Sequence, residues 1–371
     1  MFRRGAFISI IVLGMVLLGG CFPPGSGRSL FRANPAHTGD YGLGGRISGQ
    51  LLWKAELGKT TFTSPAAAGG RIFVGTSDRR FLALDARTGK TLWVFMADGA
   101  IASTPAVADG IVYFGTVTAA IKGTFYALDV KDGQVLWSFT DGHPINTPPC
   151  ISGGRVYFGS WNAILYGLSA RDGRVAWKHG RMGGRVTCSP AVFGGMVYVG
   201  SWDNVLYALN ERDGDFFVWN FKAKDKITSS PAVFQGKVCF GSIDKNIYCI
   251  DADRKKLLWK FSTGGWVDSS PAVRNGTVYC GSMDGKVYAL SLADGKEIWK
   301  YETGGPVVSS PSLQGDTLYI GSQDRYLYAL DSITGELRWK FKAEDVVSSS
   351  PILSGGNLYF VSFDGTLYAL K

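Results

Sequence analysis

Six aspartates recur at matching positions of a repeat and are the most regular set of residues that could do chemistry. They are Asp78, Asp203, Asp244, Asp284, Asp324 and Asp364. Carboxylate oxygens are preferred ligands of Ca²⁺, so the series could suggest a metal. Aspartate also accepts hydrogen bonds from the amides of tight turns. Each of these residues lies between two strand-like segments, and neighbouring repeats would hold them too far apart to share one ion. The turn interpretation is favoured, and no metal site is predicted.

Small polar residues precede a recurring proline, as in Ser229–Ser230 and Ser269–Ser270. A serine becomes a nucleophile when a histidine activates it. The three histidines, His37, His143 and His179, form no evident partner set with these serines. Crowding of strands around a central channel explains the small side chains better. No catalytic residue and no cofactor-binding residue is therefore predicted.

Five cysteines follow the N-terminal region, at non-equivalent positions of the repeat. They are Cys150, Cys188, Cys239, Cys249 and Cys280. The chain contains no Cys-x-x-Cys, no adjacent cysteines and no haem-attachment motif. An exported protein could form disulfides, but most of these side chains are expected to be small buried residues on strands.

Eight tryptophans indicate the elements that position all of these residues. They follow one another at intervals of 40 to 44 residues: Trp53, Trp93, Trp137, Trp177, Trp219, Trp259, Trp299 and Trp339. A period of this size is typical of propellers and stacked arrays. Each unit contains four short segments rich in β-branched and aromatic residues, bounded by Gly, Asp or Asn turns. Four antiparallel strands of this kind form one propeller blade.

The number and closure of the blades follow from the chain ends. The tryptophans, the recurring proline and the third strand each give eight units. The last unit ends at Lys371 without a fourth strand, whereas Leu51–Lys54 is a fourth strand with no unit before it. Pairing the two removes exposed sheet edges. We predict an all-β, eight-bladed propeller of four-stranded antiparallel blades over residues 51–371, closed by the N-terminal strand joining the last blade.

The N-terminus is predicted to be a targeting segment. Arg3–Arg4 is followed by an apolar stretch, Ala6–Leu18, of signal-peptide length. The ending Leu18–Cys21 resembles the lipobox of bacterial lipoproteins, in which the cysteine carries the lipid. We therefore expect a signal peptide at 1–20, lipidation (palmitate among the acyl chains) of Cys21, and a linker at 21–50. A plain signal peptide or a short membrane anchor is the alternative.

Charge and the residue after the lipobox bear on location. The formal net charge of +9 is dispersed, with no run of five basic residues. Nucleic-acid binding is therefore disfavoured, whereas acidic headgroups or an acidic partner fit this charge. Phe22 follows Cys21 where an aspartate would resemble an inner-membrane retention signal. The outer membrane, facing the periplasm, is expected if the source has two membranes, and the cell surface otherwise.

Two segments resemble the tryptophan-docking motif of the propellers with pyrroloquinoline quinone (PQQ)-like repeats. They are Leu84–Trp93, LDARTGKTLW, and Leu330–Trp339, LDSITGELRW. The resemblance extends over residues 51–371 and implies that the eight periodic indoles dock between neighbouring blades. Phe31–Gly39 is similar to a lead-in that precedes such propellers, and the sequence assigns it no role.

The resemblance leaves two main branches open. Quinoprotein dehydrogenases use PQQ, calcium and a catalytic aspartate, often with a disulfide between adjacent cysteines. Outer-membrane assembly factors are eight-bladed lipoproteins that bind proteins without a cofactor. Because this chain lacks adjacent cysteines and a haem motif, the second branch is preferred. The expected function is a non-catalytic, lipid-anchored scaffold, monomeric within a complex, for outer-membrane β-barrel assembly. A PQQ-dependent oxidoreductase and a surface ligand-binding or sensor propeller are the alternatives.

Departures from the repeat indicate where a partner would bind. Trp161 and Trp202 occupy equivalent hairpins of consecutive blades, and Trp266 lies in a crossover between blades. Arg181 and Arg185 lie in the crossover between the first two. Tryptophan beside arginine on one face is typical of protein-binding hot spots, although these indoles could simply cap the channel mouth. Other basic residues are expected on the same face: Arg79, Arg80, Lys224, Lys226 and Arg325.

Overall fold

The computed structural model describes residues 32–61, 63–180, 182–214 and 217–371. In these residues the chain forms eight antiparallel sheets arranged as the blades of a propeller, which confirms the predicted fold class. The predicted signal peptide and Cys21 lie outside the described residues. No helix in the described part of the chain is long and apolar enough to cross a membrane.

The strands are numbered in chain order, and each blade runs from the channel outwards. Blades 1 and 2 consist of β2 (Ala66–Ala68), β3 (Arg71–Gly75), β4 (Arg80–Asp85), β5 (Thr91–Met96), then β7 (Ala106–Ala108), β8 (Ile111–Val117), β9 (Phe125–Asp129) and β10 (Val135–Phe139). Blades 3 and 4 consist of β11 (Cys150–Ser152), β12 (Arg155–Gly159), β13 (Leu165–Ser169), β14 (Val175–His179), then β15 (Ala191–Phe193), β16 (Met196–Gly200), β17 (Val205–Asn210) and β18 (Phe217–Lys222). Blades 5 and 6 consist of β19 (Ala232–Phe234), β20 (Lys237–Gly241), β21 (Asn246–Asp251), β22 (Lys256–Ser262), then β23 (Ala272–Arg274), β24 (Thr277–Gly281), β25 (Lys286–Ser291) and β26 (Glu297–Glu302). Blades 7 and 8 consist of β27 (Ser312–Gln314), β28 (Thr317–Gly321), β29 (Tyr326–Asp331), β30 (Leu337–Lys342), then β31 (Ile352–Ser354), β32 (Asn357–Val361), β33 (Thr366–Leu370) and β1 (Leu51–Glu56).

Blade 8 closes the ring with strands from both ends of the described chain. β1 is the outer strand beside β33, with Lys54 opposite Tyr368. The chain end is tied down further, because the Ser48 N–H donates to the Lys371 carbonyl at 2.8 Å and the Lys371 N–H donates to the Gln50 carbonyl at 3.0 Å. The structure therefore confirms the predicted closure of the ring, in which the N-terminal strand joins the last blade.

One row of side chains crosses the second, third and fourth strands of each blade and forms the contact with the next blade. In blade 6 the row is Tyr279, Ala289 and Trp299, which are direct cross-strand partners. The small middle residue gives the indole room to lie over the sheet, where it is 8% exposed. Both Tyr279 and Trp299 donate to the Ser332 carbonyl of blade 7, at 3.0 and 3.1 Å. The row therefore fixes the position of one blade against its neighbour.

The periodic tryptophans make the same contact around the ring. In seven of the eight the indole Nε1 donates to a backbone carbonyl at 2.8–3.1 Å, which belongs to the next blade or, for Trp339, to Ile47 before β1: Trp53, Trp93, Trp137, Trp177, Trp259, Trp299 and Trp339. The ring of Trp259 lies over Gly295, whose φ is +72°, and a Cβ there would stand 2.6 Å from the indole. Glycine is therefore required in this turn both for its backbone conformation and for the close approach.

Blade 2 departs from the four-stranded pattern. The hairpin between β8 and β9 is longer than the equivalent hairpin of the other blades, and the second strand, β8, consequently continues to Val117. The added length exposes an edge, which pairs with a short crossover strand, β6 (Ala100–Ile101). The insertion thus lengthens the sheet along the strand direction, because β6 and β7 pair with the same edge of β8.

The segment Arg32–Gly42, termed the channel segment, occupies the centre of the ring. The first strand of each blade pairs only with the second, so its other edge faces the channel. The backbone N–H groups of Val192, Val233, Val273 and Leu313 donate to carbonyls of Pro35, Ala36, Thr38 and Gly39 at 2.7–2.8 Å. The lead-in that the sequence left without a role therefore pairs with the inner edges of blades 4 to 7.

Candidate protein-binding surface

Trp161 and Trp202 lie on the face of the ring that carries the crossovers between blades. Each stands in the hairpin between the second and third strands, and its backbone N–H donates to the preceding crossover, at Pro144 and Arg185 respectively. Gly184 makes this approach possible, since a Cβ there would stand 2.6 Å from the Asp203 nitrogen. Consecutive blades therefore present equivalent side chains around the channel mouth.

Four side chains on this face form an alternating stack, termed the cation–indole ladder: Trp161, Arg185, Trp202 and Lys226. The Arg185 guanidinium carbon lies 4.2 Å from the Trp161 ring centroid and 5.3 Å from that of Trp202. The Lys226 ammonium also contacts Trp202, at 4.8 Å from the ring centroid. Cations prefer the face of an indole because the ring quadrupole attracts them. The stack therefore orders two basic side chains that are otherwise exposed.

Hydrogen bonds fix both indoles of the ladder. Trp161 donates from Nε1 to the Asn146 side-chain oxygen at 3.0 Å, and Trp202 donates to the Thr187 hydroxyl at 2.9 Å. Both acceptors belong to the crossover that leads into the first strand of the respective blade. Because the indole N–H groups are satisfied within the protein, the cations and the parts of the half-buried rings that the cations leave uncovered remain for a partner.

The charge of the ladder is uncompensated by ion pairs. Within the described residues no carboxylate forms a salt bridge with Arg185 or Lys226. Arg80, which the sequence also placed on this face, differs because it pairs with Asp78 at 2.8 Å. The ladder is therefore a local positive surface with aromatic faces, suited to a carboxylate-bearing partner.

Trp266, another of the predicted binding residues, lies apart from these contacts. Trp266 is in the crossover between blades 5 and 6 and is 50% exposed. Its carbonyl accepts from the Met283 N–H at 2.8 Å, the equivalent of the Arg185 contact with Trp202. It shares the face, but the described contacts do not join it to the ladder. Arg181 lies outside the described residues. Lys226, which the sequence suggested only as part of a positive field, is instead in direct contact with Trp202.

The recurring aspartates bind protein donors. In Asp284, Oδ1 accepts from the Lys286 N–H at 3.1 Å, and Oδ2 accepts from the Gly264 N–H and the Tyr288 hydroxyl, both at 2.7 Å. Asp203, Asp244 and Asp324 repeat this pattern. Burial, followed by the hydrogen bond to the aspartate, raises the pKa of Tyr288. These carboxylates hold the hairpin to the crossover and to the third strand.

The serines before the recurring proline form a chain of hydrogen bonds around the channel. Each backbone N–H donates to the hydroxyl of the next blade at 2.8–3.1 Å, in the order Ser189, Ser230, Ser270, Ser310, Ser350, Ser64 and Thr104. The equivalent residue of blade 3 is Pro148, which has neither an N–H nor a hydroxyl. The chain of bonds is therefore open at blade 3, and the serines act in joining blades.

One serine–histidine contact was missed from the sequence, where the three histidines showed no partner. The His37 Nε2 lies 3.3 Å from the Ser189 hydroxyl, across 152 residues of chain. Both side chains are buried, and burial, followed by the charge of Arg32, lowers the pKa of His37 to about 3. A nucleophile needs access to substrate, and this pair is buried between the channel segment, which contributes His37, and the crossover into blade 4, which contributes Ser189. The contact positions that segment against blade 4.

The residues of the channel do not fit PQQ with calcium. Pockets for organic ligands enclose about 300–1,000 Å³, whereas a cavity beside the channel segment, lined by Arg32, Tyr41 and Thr104, measures about 10 Å³, room for roughly one water. The described residues contain no group of three His, Cys, Asp or Glu that could hold a metal ion. A surface depression of about 390 Å³ is lined by Lys54, Glu56, Glu344 and Asp364, and its one ammonium group, on Lys54, already pairs with Glu344 at 2.9 Å.

Fold and repeat together define the class: an eight-bladed propeller of PQQ-like repeats, closed by its N-terminal strand. The chain belongs to the family described as outer membrane protein assembly factor BamB, whose sequence profile matches residues 45–179, 144–216, 217–313 and 302–371.

Solved structures share the fold at low sequence identity. BamB from Moraxella catarrhalis superposes with a TM-score of 0.74 at 17% identity, covering 87% of this chain and 97% of that one. The quinohemoprotein alcohol dehydrogenase ADHIIG from Pseudomonas putida HK5 superposes with a TM-score of 0.78 at 16% identity, covering 94% of this chain and 80% of that one. At these identities the likeness concerns the fold.

A curated relative matches over one part of the chain. Quinoprotein ethanol dehydrogenase from Pseudomonas aeruginosa is 34% identical over 102 residues, which are 27% of this chain and 16% of that protein. The match spans about a sixth of the relative, so it reflects shared repeats.

Proposed function

We propose that this propeller is a non-catalytic scaffold that binds a protein partner through the cation–indole ladder. The observation that carries the proposal is the stacking of Arg185 between Trp161 and Trp202, with Lys226 on the far ring. Tryptophan and arginine are enriched among residues that dominate binding energy at interfaces. A partner segment with acidic side chains would pair with the two cations and pack its apolar surface on the indoles.

We further propose that this partner belongs to the machinery that assembles outer-membrane β-barrel proteins. Membership of the BamB family supports this role, and a lipid on Cys21 would hold the propeller at the inner face of the outer membrane. The channel segment, which occupies the centre of the ring, supports a role in binding rather than in PQQ chemistry, because the partner would contact the crossover face and would not need to enter the channel.

The test replaces Trp161, Arg185, Trp202 and Lys226 by alanine in the tagged, full-length chain. Removing hot-spot residues costs about 2 kcal/mol or more, or roughly a 30-fold loss of affinity. We expect assembly components to co-purify with the parent protein from envelope extracts and to be lost with the variant. The variant should remain folded with a somewhat lower thermal unfolding midpoint, because Arg185 and Lys226 are exposed whereas each half-buried indole loses one hydrogen bond to a crossover.

The matched control is Lys340→Ala. Lys340 also stacks on an aromatic ring, 4.5 Å from the Tyr326 centroid, but it lies on the outer strand of blade 7, away from the ladder. Capture should survive this change. Capture that is equal in the parent and the ladder variant would contradict the proposed surface.

A further inference from the structure

Blade 5 breaks the side-chain row that docks each blade on the next. In the other seven blades the row reads aromatic, small, tryptophan, and the first two members are Phe73–Ala83, Tyr113–Ala127, Tyr157–Gly167, Tyr198–Ala208, Tyr279–Ala289, Tyr319–Ala329 and Tyr359–Ala369. In blade 5 the row reads Cys239, Cys249, Trp259. Both the aromatic ring and the small residue are replaced by cysteine, in one blade.

The replacement removes both the aromatic ring and the hydroxyl that tyrosine supplies at the equivalent junction of blade 6. In blade 6 the Tyr279 hydroxyl donates to the Ser332 carbonyl beside the Trp299 indole. At the junction between blades 5 and 6 the Leu292 carbonyl accepts from Trp259 at 3.0 Å. Cys239 has no hydroxyl that could donate a second hydrogen bond to this carbonyl. A cysteine that only filled space would be a poor substitute for tyrosine here.

The register places the two sulfurs together. Cys239 and Cys249 are direct cross-strand partners on β20 and β21, so their side chains point to the same face of the sheet. Cross-strand partners have Cα separations of about 4.5 or 5.5 Å, both within the range that disulfides span. Both side chains are free thiols in this structure, and the Cys239 thiol donates to the Cys249 sulfur with the two Sγ atoms 2.8 Å apart, closer than two sulfur atoms in van der Waals contact.

We propose that Cys239 and Cys249 form a cross-strand disulfide within blade 5. The reaction is thiol–disulfide exchange with an oxidising protein disulfide, the class of oxidant found where exported proteins fold. The Cys239 thiolate attacks a sulfur of the oxidant and forms a mixed disulfide, and one oxidant thiolate leaves. The Cys249 thiolate then attacks the Cys239 sulfur and releases the second. Two protein thiols lose two electrons and two protons, and the oxidant disulfide becomes two thiols.

The remaining described cysteines are separate from this pair. Cys280, from blade 6, belongs to the same apolar cluster, but its cross-strand partner is Tyr288 and its thiol contacts the Ser269 carbonyl at 3.2 Å. Cys150 and Cys188 contact the carbonyls of Pro35 and Gly200. These three provide internal controls of equal burial.

Burial determines when the bond forms. Cys239 and Cys249 are 0% exposed, so a protein oxidant reaches them only before blade 6 packs on blade 5. The native protein should consequently keep its bond in reductant alone and lose it in reductant with denaturant.

The test is a thiol map of the full chain secreted into an oxidising compartment. Free thiols are alkylated in denaturant, and the protein is digested without reduction by trypsin, which cuts after Lys245 and separates the two cysteines. We expect a linked peptide pair lighter by two hydrogens than the two thiol peptides, together with alkylated Cys150, Cys188 and Cys280. Alkylated Cys239 and Cys249 in this protein would overturn the proposal, as would either one linked to Cys280.

Two variants complete the test. Cys280→Ala should leave the linked pair unchanged. The double variant Cys239→Tyr with Cys249→Ala restores the row of the other blades, so it should fold, with no linked peptide in the map. A linked peptide of the same mass in that variant would show that other cysteines had produced it.

Discussion

Arg185 illustrates how single residues on the crossover face differ in what they are free to bind. Arg80, the first residue of β4 in blade 1, pairs with Asp78 and donates to the Leu57 carbonyl. Arg185 instead rests between two indoles, a contact worth about 0.5–1 kcal/mol at an exposed site. This energy orders the side chain without neutralising it. The Arg80 charge is therefore neutralised within blade 1, whereas the Arg185 charge remains available to a partner at blades 3 and 4.

His37 gives a pH dependence that belongs to one residue. Its pKa is lowered from 6.5 to about 3 by burial and by Arg32, so the unfolded chain binds a proton at a higher pH than the folded chain. The contribution of neutral, buried His37 to the free energy of unfolding is fully present above pH 6.5 and is lost as the pH falls towards 3. We expect the free energy of unfolding to fall by about 1.4 kcal/mol per pH unit across this window. Urea unfolding at successive pH values measures the slope.

The matched variant for this prediction is His37→Gln, which keeps a polar side chain beside Ser189 and cannot titrate. Its stability should change less than that of the parent between pH 6.5 and about 4.5, above the range in which most carboxylates titrate. Parallel pH profiles for the two proteins would contradict the assignment to His37.

At the scale of elements, the fourth strand of each blade contributes a docking indole, and its removal should be costly. Trp299 is 8% exposed and bonds to the Ser332 carbonyl. Trp299→Ala removes this bond and leaves a cavity between blades 6 and 7, so we expect a loss of about 3–5 kcal/mol in the free energy of unfolding. Chemical denaturation, followed by tryptophan fluorescence, measures it.

Trp266→Ala is the control for that experiment. Its indole is 50% exposed, and the change should stay within about 0.5 kcal/mol. The two substitutions remove the same side chain, so equal losses would mean that burial between blades does not distinguish the two tryptophans.

At the scale of the whole molecule, ring closure depends on β1. A chain that starts at Ile47 lacks the channel segment but keeps β1 and the Trp339 bond to the Ile47 carbonyl. A chain that starts at Leu57 lacks both and leaves the outer edge of β33 unpaired. Unpaired edges template pairing with other chains. We expect the first chain to be monomeric and the second to self-associate, as measured by light scattering after size exclusion.

A further comparison separates closure from the channel segment. If both shortened chains self-associated equally, the channel segment rather than β1 would be what keeps the ring closed. If neither did, blade 8 would be complete with three strands.

The periodic part of the molecule could be predicted because each blade repeats one local pattern. The position of Trp53 in the last blade followed from the chain ends alone. Non-periodic contacts could not be predicted, because nothing in the sequence relates His37 to Ser189 across 152 residues. The channel segment was missed for the same reason. The contact between Cys239 and Cys249 could have been predicted, because the two residues lie at equal distances in sequence on either side of Asp244. Residues placed in this way around the turn of one hairpin are cross-strand partners.

The pairing of β1 with β33 also sets an order of events in time. Blades 1 to 7 are built from neighbouring stretches of chain, and each can form as soon as its own residues emerge. Blade 8 needs Leu51–Glu56 and Thr366–Leu370 together, and such distant contacts form slowly. The earliest strand must therefore wait, unpaired, for the last one to arrive. During synthesis or export the molecule is an open arc with two free ends, and that interval is when a chaperone has edges to protect.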